Sequence, residues 1–390
     1  TYRHFGESSS DIYIDFKIDG KNPFAGCEKM ILRRLWVNKT KEAQIDDEGN
    51  EFAPEQIPLE DFTSQSLSDS MGIIDTPYSF AFPSGKHTLT VSSVEGIVEI
   101  KEVKLLHISK VKKYQDVVKQ YKKNNNTKAE PIILQGEDAD VKSGSSIIPL
   151  SDNSTPNIVP NNPYKSVLNY IGGTNWASSG DFITWNFNVK EDGIYKIAFR
   201  YKQADVINAA TYRQLFIDGQ LPFEEAKNIK FEYARNWNLV DYSDSNGQVY
   251  EFYFTKGNHE LTLAATLGET ADFYSRLSDI VGSIGELYLK IVMITGETPD
   301  KNRDYELFTQ IPNFNETLQE NEKNLLKLAL DMEKLNGKQG GQCVAALRNM
   351  VRVLRNMIDN NCLKPSLIIH CLKTFYQSNK RASHSMSINY

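Results

Sequence analysis

The sequence predicts a mainly β protein with a helical end: tandem jelly-roll sandwich modules, the first incomplete, followed by an α-helical hairpin or bundle. Three observations carry this. A turn block occurs twice, as YIDFKIDGKNPF over Tyr13–Phe24 and YRQLFIDGQLPF over Tyr212–Phe223. Short alternating segments separated by Gly- and Asp-rich turns fill most of the first 268 residues, a pattern of two-sheet sandwiches. Beyond them, apolar residues recur at helical spacing in three long stretches.

In both copies a strand ends in Ile-Asp-Gly and restarts after Pro-Phe. Glycine supplies the left-handed backbone and proline fixes the exit angle, so each block is a turn with a mechanism. A second echo follows in the same order: YSFAFPSGKHTLTV from Tyr78 matches YEFYFTKGNHELTL from Tyr250. Two ordered matches mark a duplicated β module. His87 and His259 share the Gly-x-His position, which predicts a shared turn contact rather than catalysis.

Five segments follow from this: an incomplete first module over 1–109, a helical linker over 110–131, a complete module over 132–268, a helical region over 269–359, and an irregular tail over 360–390. The first copy lacks the strands that precede the second, so the chain is expected to begin inside a domain. Asn38–Pro77 reads as a long surface loop. Tyr78–Phe82 and His87–Ser92 read as a hairpin, and Ile97–Ile108 as its closing strand. Lys110–Lys123 has Val111, Tyr114, Val117, Val118 and Tyr121 at helical spacing. Ile132–Ala139 reads as a strand and Phe187–Tyr201 as a hairpin turning at Glu-Asp-Gly. Phe273–Ile294, Asn315–Leu335 and Cys343–Ile358 read as amphipathic helices, the last two an antiparallel hairpin across Gly337–Gly341. From Asn360 no period persists, and the tail is expected to be poorly ordered.

A net charge of −6 without a basic stripe argues against nucleic acid as partner. Cysteines 27, 343, 362 and 371 form no CxxC pair and no zinc spacing. The chain as given shows no signal peptide and no membrane span. No phosphate loop, HExxH or nucleophile elbow is present, so catalysis is unsupported.

The segments Gln135–Ala139 (QGEDA), Gly180–Trp185 (GDFITW) and Asp192–Tyr201 (DGIYKIAFRY) resemble the galactose-binding-like β-sandwich of carbohydrate-binding module families 6 and 35. The two IDGxxPF blocks, Ile171–Trp176 (IGGTNW) and Met293–Asp300 with Arg303-Asp-Tyr305 resemble the N-terminal accessory region of extracellular, family 1 solute-binding proteins of Gram-positive carbohydrate ABC transporters. That resemblance reaches to about Asp359 and implies a bacterial cell-surface location, an oligo- or polysaccharide ligand, and an ABC permease reached through a solute-binding domain not in this sequence.

Sugar binding by a sandwich needs an aromatic face with polar groups at its rim. Trp176 lies in a Gly- and Ser-rich loop and is the first candidate platform, with Asn175 and Asp181 beside it for hydroxyls. Arg213 and Tyr212, before the second Asp-Gly turn, could border a cleft. Trp237 is a further candidate, although it echoes Trp36 and such a repeated position also fits sandwich architecture. Trp185 alternates with apolar positions and reads as core. The module resemblance implies a structural calcium at Glu137 and Asp138, with Gln135 in place of the first acidic residue of that pattern. The expected function is non-catalytic carbohydrate binding. A structural spacer without ligand, or an accessory module of a glycoside hydrolase, are the alternatives.

Overall fold

The computed structural model describes all residues except 7–9, 70–71, 75, 108–109, 122–129, 206, 208, 301–302, 337–340, 360–364 and 388–390, and the side chains of 365–367 and 384–387. The linker over 124–131 and the glycine turn at 337–341 fall largely outside the described residues. The chain divides into two compact units, a β unit of Thr1–Gln203 and Thr211–Gly268 and a helical unit of Ala204–Ala210 and Glu269–Ile388.

The first part of the β unit holds β1 (Tyr2–Phe5), β2 (Ile12–Ile18), β3 (Met30–Leu32), β4 (Trp36–Asn38), β5 (Gln44–Ile45), β6 (Glu51–Phe52), β7 (Gln56–Pro58), β8 (Leu89–Glu95) and β9 (Ile97–Ile100). A short helix, α1 (Tyr114–Val118), follows. The second part holds β10 (Val141–Lys142), β11 (Pro149–Leu150), β12 (Tyr170–Ile171), β13 (Phe182–Val189), β14 (Gly193–Lys196), β15 (Ala198–Gln203), β16 (Thr211–Ile217), β17 (Ile229–Phe231), β18 (Ala234–Asp241), β19 (Glu251–Phe254) and β20 (Gly257–Thr266).

The duplication survives down to register. Ile18 pairs with Leu89 and Tyr13 with Ile31 in the first copy, as Ile217 pairs with Leu261 and Tyr212 with Lys230 in the second. Asp19 and Asp218 both have φ of 50°, followed by Gly20 and Gly219 at 79° and 71°. Positive φ at both central residues defines the tight hairpin turn whose twist suits antiparallel strands. Each aspartate is then clamped. His87 Nδ1 lies 2.7 Å from Asp19 and its Nε2 2.8 Å from the Pro83 carbonyl. His259 repeats this at 2.8 Å to Asp218 and 2.8 Å to the Thr255 carbonyl. The expected shared turn contact is this clip.

Several expected elements differ. Asn38–Pro77 is no bare loop, since β4 and β7 join the sheet ordered β17-β16-β20-β13-β10-β4-β7, and β5 and β6 form a ribbon. Residues 1–109 and 132–268, expected as separate modules, therefore share one sheet. Residues 78–88 make no ladder, and the strand after them stops at Ile100 rather than Ile108. Ile132–Ala139 holds no strand; the strand begins at Val141. The chain from Phe187 to Tyr201 is not a hairpin, because β13 pairs with β20 while β14 pairs with β19. The Glu-Asp-Gly turn carries the chain from one layer of the sandwich to the other, with β14–β19 and β15–β18 opposite the large sheet. Nor is α1 a free linker. The Tyr114 amide donates to Glu225 at 2.8 Å, and its ring meets Phe223 at 5.1 Å and Tyr250 at 4.8 Å.

The helical unit contains α2 (Ala271–Thr295), α3 (Leu307–Gln310), α4 (Phe314–Asn336), α5 (Gln342–Asp359) and α6 (Pro365–Ser387). Helix α2 packs on α4 and α6, and α5 on α4 and α6, which closes a four-helix bundle around Leu277, Ile284, Leu325, Leu347 and Phe375. The three sequence-predicted helices form within two residues of their expected limits. The tail was expected to be irregular and is instead the fourth helix: Ile368, Leu372, Phe375 and Ala382 are buried at helical spacing, a face diluted in sequence by the intervening Lys, Ser and Arg.

Candidate functional site

Asp181 sits where the loop after Gly180 enters β13. Its carbonyl accepts from the Ala265 amide at 2.7 Å and from Trp176 Nε1 at 3.1 Å, and the Gly180 amide donates to the Ala265 carbonyl at 2.8 Å. Its carboxylate faces a polar pocket of about 230 Å³ lined by Asp11, Arg33, Trp36, Asp181 and the Ser143–Ile147 turn. Arg33 Nη1 lies 3.4 Å from Asp11 and 3.5 Å from Asp181, and Ser143 Oγ donates to Asp181 at 3.4 Å. Burial raises the Asp181 carboxyl, and the Arg33 guanidinium opposes that rise. Gly180, at φ of 84°, leaves Arg33 its room, since a Cβ there would lie 3.0 Å from Nη2. The pocket thus presents two carboxylate acceptors, one guanidinium and serine hydroxyls, a set suited to vicinal hydroxyls.

The structure brings Trp176, Asp181 and Arg213 together, but as an internal strut. The Arg213 guanidinium lies over the indole, 4.1 Å from its centroid, and donates to the Trp176 carbonyl at 3.3 Å. Arg213 is buried, and desolvation brings its guanidinium down to about 9 against the pull of Asp181. One indole face and its N–H are therefore committed inside the protein. Tyr212 is also buried, its ring against Gly268, where a Cβ would meet Cγ at 2.3 Å. Asn175 ends the 3-10 turn Gly173–Asn175 that leads into Trp176 and is half-buried.

Trp237 belongs to a different place. It lies on β18, half-buried, with its N–H donated to Asp152 at 2.8 Å and its ring 5.5 Å from Tyr170. Lys202 adds an ion pair to Asp152 at 3.0 Å. Burial works against this carboxylate, yet hydrogen bonds from Ser154, Trp237 and Lys202 hold it well below the usual range. Trp36 and Trp237 are not equivalent positions, because Trp36 stands on β4 opposite Lys142 and Trp237 in the other layer. Trp185 is core, as expected, and donates to the Gln135 carbonyl at 2.9 Å.

Glu137 is half-buried with one carboxylate oxygen, Oε2, enclosed and without a hydrogen-bond partner. Burial pushes its carboxyl up to about 7, helped by the charges of Asp138 and Glu51. Asp138 is exposed, and among the described residues no three His, Cys, Asp or Glu side chains gather to hold a metal ion. These carboxylates alone do not make the oxygen cage that calcium takes.

Sequence reasoning found Asp181 but missed Arg33, Asp11 and Ser143. They lie far apart in the chain and meet only because β4 joins β10 in the shared sheet. The one available signal was Arg33-Arg34 directly after a strand, which by itself indicates no site.

The architecture is thus a β-sandwich unit plus a four-helix bundle. Residues 272–387 match the family described as "Bacterial solute-binding protein, 4-helix bundle domain". The matched segment runs through α6, past the Asp359 limit that the sequence resemblance reached, and supports the expected likeness to solute-binding proteins. No curated protein matches the chain. Among solved structures, a native family 35 carbohydrate binding module from Clostridium thermocellum is 22% identical at a TM-score of 0.25, covering 35% of this chain and 87% of that one. The Podospora anserina GH26-CBM35 β-(1,4)-mannanase is 12% identical at a TM-score of 0.25, covering 65% of this chain and 63% of that one. TM-scores this low carry no argument from those proteins to this one. Among the described residues no helix is long and apolar enough to cross a membrane.

Proposed function

We propose that this chain is a non-catalytic carbohydrate-binding accessory region of an extracellular bacterial solute-binding protein that serves a sugar ABC importer. The observation that carries the reading is the pocket of Asp11, Arg33, Asp181 and the Ser143–Ile147 turn, whose size and mix of donors and acceptors suit one hydroxyl-rich ring. The solute-binding-protein bundle supports the same reading. Arg33 and Asp181 hold the ligand, Trp36 backs the pocket, and the Trp176–Arg213 stack fixes the loop that presents Asp181. The permease is reached through a solute-binding domain elsewhere in the protein.

The test is calorimetric titration of the whole chain with mono- and oligosaccharides selected on a glycan array. Binding that is lost in Asp181→Asn and Arg33→Gln, both still folded, supports the pocket. Binding lost in Trp237→Ala alone moves the site to β18. No binding by a folded chain favours a spacer, a reading that the internal commitment of both Trp176 and Trp237 supports. Calcium at Glu137 and Asp138 remains a separate proposal, in which backbone carbonyls supply the further ligands. A melting temperature unchanged between calcium and a chelator would sink it.

A further inference from the structure

Lys142 on β10 stands opposite Trp36 of β4 and Ile183 of β13, so its side chain lies on the sheet face that carries the core. It is fully buried. Among the described residues no carboxylate comes within ion-pair distance of its ammonium, which meets one acceptor, Asn38 Oδ1, at 2.5 Å. An ammonium taken out of water beside a single neutral partner is costly, and a carboxylate normally compensates it. Burial accordingly brings Lys142 down to about 8, against the pull of Asp140. Near neutral pH about a tenth of such a lysine is the free amine, a nucleophile.

The carboxamide it meets is set for attack. Gln56 on β7, the register partner of Asn38, donates from Nε2 to the same Oδ1 at 2.8 Å and to the Pro54 carbonyl at 2.8 Å. That donor stays in place as an amine adds to the carboxamide, and it stabilises the oxyanion of the tetrahedral centre. A carbonyl bond is about 1.2 Å long, so Asn38 Cγ lies no more than about 3.7 Å from Lys142 Nζ, close to a near-attack separation. Gln56 Oε1 is enclosed without a partner and can accept from a departing ammonia. Asn38 is half-buried, which leaves that ammonia a way out.

We propose that Lys142 and Asn38 join in an intramolecular isopeptide bond, a self-made crosslink between β10 and β4. Lys142 Nζ, as the amine, adds to Asn38 Cγ and forms the new C–N bond. The bond from Cγ to Nδ2 then breaks, and a proton from Nζ leaves with Nδ2 as ammonia. Counted from the ammonium, one lysine and one carboxamide give one amide and one ammonium ion, and nothing is oxidised or reduced. The crosslink removes the buried charge and ties together residues 104 positions apart.

The test is the intact mass of the whole chain under denaturing conditions. The expected mass is one ammonia short of the sequence, and a tryptic digest should contain a branched peptide joining Lys142 to Asn38. Lys142→Met keeps the length of the side chain, removes the amine, and should abolish the ammonia loss. In freshly translated chain, Gln56→Met should slow that loss about a hundredfold. The full sequence mass in the unmutated chain would overturn the proposal whether or not any variant folds. So would an ammonia loss that persists in Lys142→Met, since it would come from another site such as Asn246-Gly247. A loss without the branched peptide would overturn it too, and a rate indifferent to Gln56→Met would take the oxyanion role from Gln56.

Discussion

The two copies of the turn block share sequence, backbone and clip, yet their phenylalanines live in different surroundings. Phe24 meets Tyr78 at 4.8 Å and Phe80 at 5.9 Å; Phe223 meets the matching Tyr250 at 5.1 Å and Phe252 at 5.3 Å. Phe24 nevertheless remains 36% exposed while Phe223 is fully buried. The difference comes from what lies over the pair. Tyr114 of α1 and Tyr242 close the second cluster, at 5.1 and 6.3 Å from the Phe223 ring, and nothing comparable covers Phe24 among the described residues. Local sequence sets the turn, and the presence of a second layer sets the energy stored around it.

The largest expected contrast is between Phe223→Ala and Phe24→Ala. Deleting a buried phenylalanine costs about 3–5 kcal/mol, whereas a partly exposed one costs roughly 1 kcal/mol. Denaturant melts of the two variants measure this, and equal losses would break the comparison. The clips should behave in the opposite way, as equals. Asp19→Ala and Asp218→Ala each remove the histidine contact and the bond to the following amide, so their melting temperatures should fall by similar amounts.

Titration sharpens the comparison further. Both nitrogens of His87 and His259 face oxygen acceptors, so the doubly protonated ring fits best. For His87 the Asp19 hydrogen bond raises the imidazolium range, joined by the Pro83 carbonyl. For His259 burial opposes, but the Asp218 and Thr255 contacts still raise it. The sign follows from linkage: this stabilisation is fully present below about pH 6.5 and is lost as pH rises through the raised folded value. Proton-detected titration of the two rings should place both midpoints above 6.5, and a midpoint below that value would remove the clip's charge.

The smallest effect concerns Glu137, whose enclosed carboxylate oxygen has no hydrogen-bond partner. Its folded carboxyl is raised to about 7, so the folded state holds a proton that the unfolded chain releases near 4.5. Stability therefore declines as pH climbs from about 5 to 7 and stays reduced above. Glu137→Gln should leave melting unchanged at pH 5 and raise it modestly at pH 8. An unchanged melt at pH 8 would show that water or an ion already satisfies the orphaned oxygen.

Where the sequence was readable, the interactions are local. The IDGxxPF turns, the histidine positions and the stripes of α2, α4 and α5 depend on residues within a few turns or one hairpin of each other. What escaped depends on distant partners. β4 and β7 carry only three residues each, too few for a period, and they are strands because β10 and each other supply the ladder. The β13-to-β14 corner looked like a hairpin because turn chemistry is the same whether the chain folds back or crosses between layers. Of the site, Asp181 was visible through its Gly-Asp motif. Arg33 and Asp11 were not, since only the shared sheet brings them to it.

That shared sheet also constrains inheritance. Trp36 on β4 pairs with Lys142 on β10, and the buried Lys142 ammonium reaches Asn38 at 2.5 Å. A duplicated gene usually yields cassettes that recombination can shuffle one at a time. Here a crossover between the copies would give one daughter an unpaired β4 and the other a buried lysine with no amide to meet it. The repeats remain recognisable as copies of one ancestral module, but selection can now move them only as a single block.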